Sequence, residues 1–150
     1  MIATSVAYDL VFLVHIIAGV GTIVVFIAMR VAALGVMRGA DAGTQALRFP
    51  RRRNWAARLL HVLPITGFIM VYSGGRSVSL SHAWVIVGLV CYLAAAGHLE
   101  ARTLPEERRV AAAIARDGVA TREQGRELLR SIDILLAIVG VALISMLIQY

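Results

Sequence analysis

The longest apolar stretch lies near the start of the sequence and covers residues 8–29. It holds 22 residues and a single charged side chain, that of Asp9 at its outer end. A helix of ~20 apolar residues crosses the ~30 Å hydrocarbon core of a bilayer. The stretch is longer than the apolar region of a secretory signal, and no positive charge precedes it. We therefore predict a permanent transmembrane helix here.

Three more apolar runs follow, and the whole chain is 59% hydrophobic, above the ~45–50% apolar share of soluble domains. The sequence therefore predicts an all-α fold, an integral membrane four-helix bundle formed by one domain over residues 1–150. The predicted spans cover residues of about 8–29, 55–73, 82–99 and 132–149, with loops at 38–54 and 100–131.

The arginines indicate how the chain is oriented. All 15 basic residues are Arg, and 13 lie between spans one and two or between spans three and four, counting Arg58 at the start of span two. Basic residues flanking transmembrane helices favour the cytoplasmic side. We expect a multi-pass protein of the bacterial cytoplasmic membrane, with loops 38–54 and 100–131 inside. Both termini and the turn at 74–81 then lie outside.

The second cytoplasmic loop has the pattern of helices. Pro105 with Glu106 and Glu107 is typical of a first helical turn. Thr121 followed by Gln124 fits a capping box. We predict a helical cytoplasmic loop between spans three and four, with its last helix running unbroken into span four.

Histidines inside apolar spans are candidate ligands, because ionisable groups in lipid are costly. His15 lies within span one, while His61 and His98 fall at similar depth in spans two and three. Imidazole is a common axial ligand of haem iron, and helical bundles hold haem between facing helices. The haem candidates are His15 alone or His61 with His98. The alternative is that these side chains hydrogen-bond within helix interfaces.

Four charged residues lie near the cytoplasmic ends of the spans. Arg30 and Arg58 are expected to pair with Glu100 and Asp133, as a structural ion-pair layer that fixes the register of the helices. The other interpretation of this layer is a route for protons or a substrate.

Other classes of function lack support in the sequence. There is no nucleic-acid-binding motif, phosphate-binding loop or zinc-protease motif, and no metal-ligand spacing. The single cysteine, Cys91, has no partner in the chain for a disulfide.

Several of these features occur together in a known pattern. Span one carries His15 near its start and Arg30 at its far end, and span two contains Pro64. Span three opens with Trp84, and an Arg/Glu-rich loop leads to an apolar last helix containing Met146. This pattern resembles a family of predicted bacterial four-span integral membrane proteins.

More distantly, the chain is similar to HemJ-type protoporphyrinogen oxidases and to CopD-type membrane domains. The resemblance to the HemJ family implies haem b, with His15 at the position of that family's first-helix histidine. It also implies that Arg30 matches the helix-end arginine, and His98 is a rough match in the third span. The chain has no lysine, whereas that family carries one in its third helix.

The leading functional prediction is a non-catalytic subunit or interaction protein that packs against itself, as a homo-oligomer, or against a larger membrane complex. The alternative is a haem b or porphyrin-binding redox protein, which as an enzyme would be a membrane oxidoreductase. A weaker alternative is a small transporter or metal-uptake component.

Overall fold

The prediction of an all-α fold is confirmed. A computed structural model describes residues 2–49, 54–73, 80 and 82–148, with side chains from residue 6 onward, and no strand occurs among them. The helices are α1 (Ile2–Met37), α2 (Ala42–Arg48), α3 (Val62–Ser73), α4 (Ala83–His98), α5 (Leu104–Asp117) and α6 (Arg122–Leu147). A 3₁₀ helix, Ala56–His61, leads directly into α3, and a π-helical segment, Leu99–Thr103, joins α4 to α5.

Four helical stretches are long and apolar enough to cross a membrane, and each overlaps one of the four predicted spans. They are Val6–Met37, Ala56–Ser73, Ala83–Asp117 and Arg122–Leu147. The first and last are longer than the apolar runs in the sequence, because α1 continues past Arg30 and α6 begins at Arg122. The apolar part of the third stretch ends near Glu100, and the charged helix α5 extends it.

Helices α1 and α6 form the centre of the bundle. Helix α1 packs against both α3 and α6, and α6 packs against α4. The 3₁₀ helix packs against α1 and also contacts α4. It therefore joins the start of the second span to the first and third spans. Helix α2 lies against α5 at the arginine-rich end.

The buried core is concentrated at that same end. Phe26, Leu99, Leu128, Ile132 and Leu135 are all fully buried, where α1, the π-helical segment and α6 meet. The opposite half exposes large aliphatic side chains to the surroundings. Such an apolar exterior is the expected surface of a protein whose solvent is lipid.

Pro64 lies just after the 3₁₀ helix at the start of the second span. Proline has no backbone N–H to donate to the carbonyl four residues earlier, which belongs to Leu60. The backbone N–H of Val62 bonds back to the carbonyls of Leu59 and Leu60, which tightens the turn before α3 begins. The sequence showed Pro64 within span two but gave no sign of this change of helix type.

The helices at the arginine-rich end are capped by local side chains. The capping box of α6 is present, with Thr121 and Gln124 bonding to each other's backbone N–H groups. Helix α5 ends at Gly118, which adopts a left-handed conformation with φ of 82°. Asp41 caps α2, and the hydroxyl and backbone N–H of Thr44 lower the pKa of its carboxyl.

Candidate functional site

One ion pair joins the two central helices. The Nε of Arg30 in α1 donates to Oδ1 of Asp133 in α6 at 2.6 Å. Both side chains remain over two-fifths exposed, at 41% and 44%. The pair therefore fixes the relative position of α1 and α6, and both of its side chains remain accessible at the surface of the protein.

A second polar cluster joins the 3₁₀ helix to the π-helical segment. Arg58 donates through Nε and Nη2 to the two carboxylate oxygens of Glu100, each at 2.7 Å. His61 lies beside this pair, with Nε2 3.6 Å from the Glu100 carboxylate and Nδ1 3.1 Å from the Tyr92 hydroxyl. The Trp55 ring stacks on the Arg58 guanidinium at 5.3 Å. Arg58, His61 and Glu100 were candidates from the sequence, whereas Tyr92 and Trp55 were not.

His98 belongs to a different interface, between α4 and α6. Its Nε2 lies 3.0 Å from the Ser131 hydroxyl and 3.1 Å from the Ser131 carbonyl. The same hydroxyl lies 2.8 Å from that of Thr103, at a buried position. This chain of hydrogen bonds ties the π-helical segment to α6.

His15 bridges the first and second spans. Its Nδ1 lies 2.7 Å from the Thr66 hydroxyl in α3, which in turn donates to the carbonyls of Val62 and Leu63. The imidazole packs on Gly67, where an added Cβ would lie 3.7 Å from its Cε1 atom. His15 therefore occupies a small, hydrogen-bonded notch between α1 and α3.

The three haem candidates do not converge on one space. His61 and Glu100 face each other, and His98 precedes Glu100 by two residues, so it leaves the helix in a different direction. Both nitrogens of His61 have neighbours, and His15 and His98 each contact a hydroxyl group. Among the described residues, no group of three His, Cys, Asp or Glu side chains could hold a metal ion. Each candidate histidine therefore contacts a hydroxyl group on a neighbouring helix, at Thr66, Tyr92 or Ser131.

A cleft of about 1160 Å³ opens at the arginine-rich end, between α1, the start of the second span and α5. None of the three candidate histidines lines it. Among the described residues, its polar lining consists of Arg48, Asn54, Arg58, Glu107 and Arg108, and most of the other lining residues are aliphatic.

Glu107 is the acid of the cleft, in α5 beyond the apolar part of the third span. Burial raises the pKa of its carboxyl, and a hydrogen bond from Asn54 Nδ2 at 2.8 Å partly opposes this effect. Asn54 also accepts from the backbone N–H of Ala57 through Oδ1, which starts the 3₁₀ helix. Asn54 thus connects the second span to α5.

The sequence did not indicate which small hydroxyl side chains contact the histidines of these clusters. Thr66, Thr103 and Ser131 are buried, and each contacts a histidine or another hydroxyl group. Thr66 lies within an apolar run, which was an available signal because a buried hydroxyl needs a hydrogen-bond partner, whereas Thr103 and Ser131 lie in the predicted loop 100–131.

Comparison with known proteins adds no further assignment. No family model, curated protein or solved structure matches this chain.

Proposed function

We propose that this chain is a non-catalytic interaction subunit of the bacterial cytoplasmic membrane. It spans the bilayer four times, with its arginine-rich loops in the cytoplasm, and it packs through α1 against a second copy or a larger membrane assembly. The resemblance to predicted bacterial four-span membrane proteins stated above agrees with this proposal.

The observation that carries the proposal is an unbroken aliphatic ridge on the free side of α1. Its members are separated by alternating steps of four and three residues, and each is 49–59% exposed. The ridge consists of Val6, Leu10, Leu13, Ile17, Val20, Val24, Ile27 and Val31.

This spacing is that of the contact positions in left-handed helix pairs, which repeat every 3.5 residues. The ridge lies opposite the buried stripe of α1, which includes Ala18, Thr22 and Phe26. Helix α1 can therefore contact the rest of its own bundle on one side and a partner helix on the other. Association would rest on van der Waals packing of the branched side chains.

The polar clusters also support a structural role. The charged layer consists of two ion pairs: Arg30 pairs with Asp133, and Arg58 pairs with Glu100. An ion-pair layer that holds helices in register needs no substrate.

Photo-cross-linking in native membranes tests the proposal. A benzophenone amino acid at Ile17 or Val24 should give a discrete product with the mass of a dimer or of a complex with another protein. The matched control is Ile16, which is 47% exposed but lies off the ridge. Protein products of equal yield from Ile16, or only lipid adducts from all positions, would contradict the proposal.

A visible spectrum separates the proposal from the haem alternative. The protein purified from cells supplied with haem precursors should be colourless. A Soret band that disappears in a His15→Ala variant would favour the haem-binding alternative instead. Because His15 contacts Thr66, the variant's helical content should be compared with that of the unmodified protein.

A further inference from the structure

The cleft at the arginine-rich end combines a charged lining with an apolar one. Asn54, Arg58 and Glu107 belong to its polar lining, while Val25 and Met29 of α1 belong to its apolar wall. The volume of about 1160 Å³ exceeds the ~300–1,000 Å³ of typical small-molecule sites. An amphiphile with a charged headgroup and a long apolar tail matches such a lining.

Cationic side chains outnumber acids in the lining. Among the described residues, the lining carries Arg48, Arg58 and Arg108 against the one carboxyl of Glu107, which accepts a hydrogen bond from Asn54, and Glu100 beside the lining already pairs with Arg58. Arginine presents five donors in a planar fork, which suits phosphate oxygens. The excess of positive charge therefore favours an anionic headgroup.

These arginines keep donors available despite their contacts within the chain. Arg108 uses Nε for the Leu104 carbonyl at 3.1 Å, and Nη1 of Arg48 makes a long contact of 3.4 Å to the Val31 carbonyl. Arg58 gives Nε and Nη2 to Glu100, whereas its Nη1 is buried and donates to no described residue. A buried donor without an acceptor is costly, and a phosphate oxygen would satisfy it.

The cleft lies at a depth along the helices where a lipid headgroup would be found. Trp55 lines it, is 66% exposed and comes just before the second apolar stretch, where interfacial aromatic residues lie. From this level the cleft continues along α1 to Val25. On its other side, small residues of α5 such as Ala111 and Ala112 leave room for a bound acyl chain. An acyl chain could lie along this wall with its headgroup at the arginines.

We propose that this cleft binds one anionic phospholipid, whose phosphate contacts Arg48, Arg58 and Arg108 and whose acyl chain lies against Val25 and Met29. The site would hold a defined lipid on the arginine-rich face, and it meets the α1 ridge at Val31, which also lines the cleft.

Native mass spectrometry in mild detergent tests this site. Purified protein is titrated with phosphatidylglycerol, phosphatidylcholine or inorganic phosphate, and the bound fraction is measured. We expect one saturable phosphatidylglycerol adduct, bound at least tenfold more tightly than phosphatidylcholine.

Paired charge variants locate the adduct. Arg48→Gln with Arg108→Gln should weaken phosphatidylglycerol binding about tenfold or more, as expected for lost charge-assisted hydrogen bonds. The charge-matched control is Arg109→Gln with Arg116→Gln, since these exposed arginines pair with Glu106 and Asp117 and do not line the cleft. The control variant should bind phosphatidylglycerol as the unmodified protein does.

A third variant tests the apolar wall without a change of charge. Ala112→Leu narrows the cleft at an exposed position and should also weaken the phosphatidylglycerol adduct. Equal weakening in the control pair would show binding to general surface charge and overturn the proposal. Equal binding of phosphatidylcholine, or saturation by inorganic phosphate alone, would overturn it as well.

Discussion

At the scale of single residues, Gly125 marks a close approach between the backbones of α6 and α1. A Cβ added there would lie 2.6 Å from the backbone nitrogen of Met37 and 3.0 Å from its Cα. The contact is with backbone, so no side chain can move aside to relieve it. Gly125 therefore lets the start of α6 meet the end of α1.

We predict that Gly125→Ala destabilises the protein by about 1–3 kcal/mol, the usual cost of overpacking. The control is Gly140→Ala in the same helix, where an added Cβ meets nothing within 4 Å. That change should be neutral or stabilise by up to ~1 kcal/mol through helix propensity. Thermal unfolding in detergent measures both variants. A Gly125→Ala protein as stable as Gly140→Ala would show that α1 and α6 do not meet at this point.

The charged members of the polar layer could be named from the sequence, but several of their partners could not. Arg30, Arg58, Glu100 and Asp133 stand out because charges are rare within apolar runs. The sequence left open which acid each arginine contacts, since depth along a helix does not give its rotation. Tyr92 was not identified, because a tyrosine in an apolar run has no distinguishing pattern.

At the scale of helices, the short helix α2 depends on one buried amide. Gln45 is 3% exposed; its Nε2 donates to the Ala40 carbonyl at 2.8 Å and its Oε1 accepts from the Ala120 backbone N–H at 2.9 Å. The amide thus connects α2 to the turn between α5 and α6. Nothing in the sequence distinguished this glutamine from a loop residue, because its partners are backbone groups 5 and 75 residues away.

We predict that Gln45→Ala releases α2 from the α5–α6 turn at a cost of about 1–3 kcal/mol, because a buried backbone donor loses its acceptor. Trypsin should then cleave after Arg48 several-fold faster, as followed by mass spectrometry of detergent-purified protein. Leu47→Ala is the control, since Leu47 is 85% exposed. An unchanged cleavage rate in Gln45→Ala, or an equal increase in Leu47→Ala, would contradict this role.

The π-helical segment illustrates a limit of sequence patterns. Predicted span three ends at residue 99, where the structure changes from α-helix to π-helix without leaving the helical path. The wider turn changes the direction of Glu100 and Thr103, which meet different neighbours. Hydrophobic periodicity gives the length of a span but not a local change of helical pitch. The capping box at Thr121, in contrast, was predicted correctly because its cause is local.

At the scale of the whole molecule, the four apolar helices followed from the sequence because they depend on composition over ~20 residues. The order in which they pack did not. Helices α1 and α6, the first and last of the chain, are neighbours at the centre, and their ion pair joins residues 103 positions apart. That arrangement depends on side-chain fit at positions such as Gly125, which no hydropathy pattern records.

The central claim is that lipid surrounds these four helices and that the arginine-rich loops face the cytoplasm. Single cysteines introduced in a Cys91→Ser background test it. A membrane-impermeant maleimide is added to cells whose outer membrane is permeabilised and whose inner membrane is intact. Leu47→Cys and Val119→Cys lie at exposed positions of the arginine-rich end, and Leu80→Cys lies between the second and third spans. We predict labelling of Leu80→Cys in intact cells, and labelling of the other two only after the inner membrane is permeabilised. Labelling of Leu47→Cys or Val119→Cys in intact cells, or recovery of the protein in solution without detergent, would contradict the account.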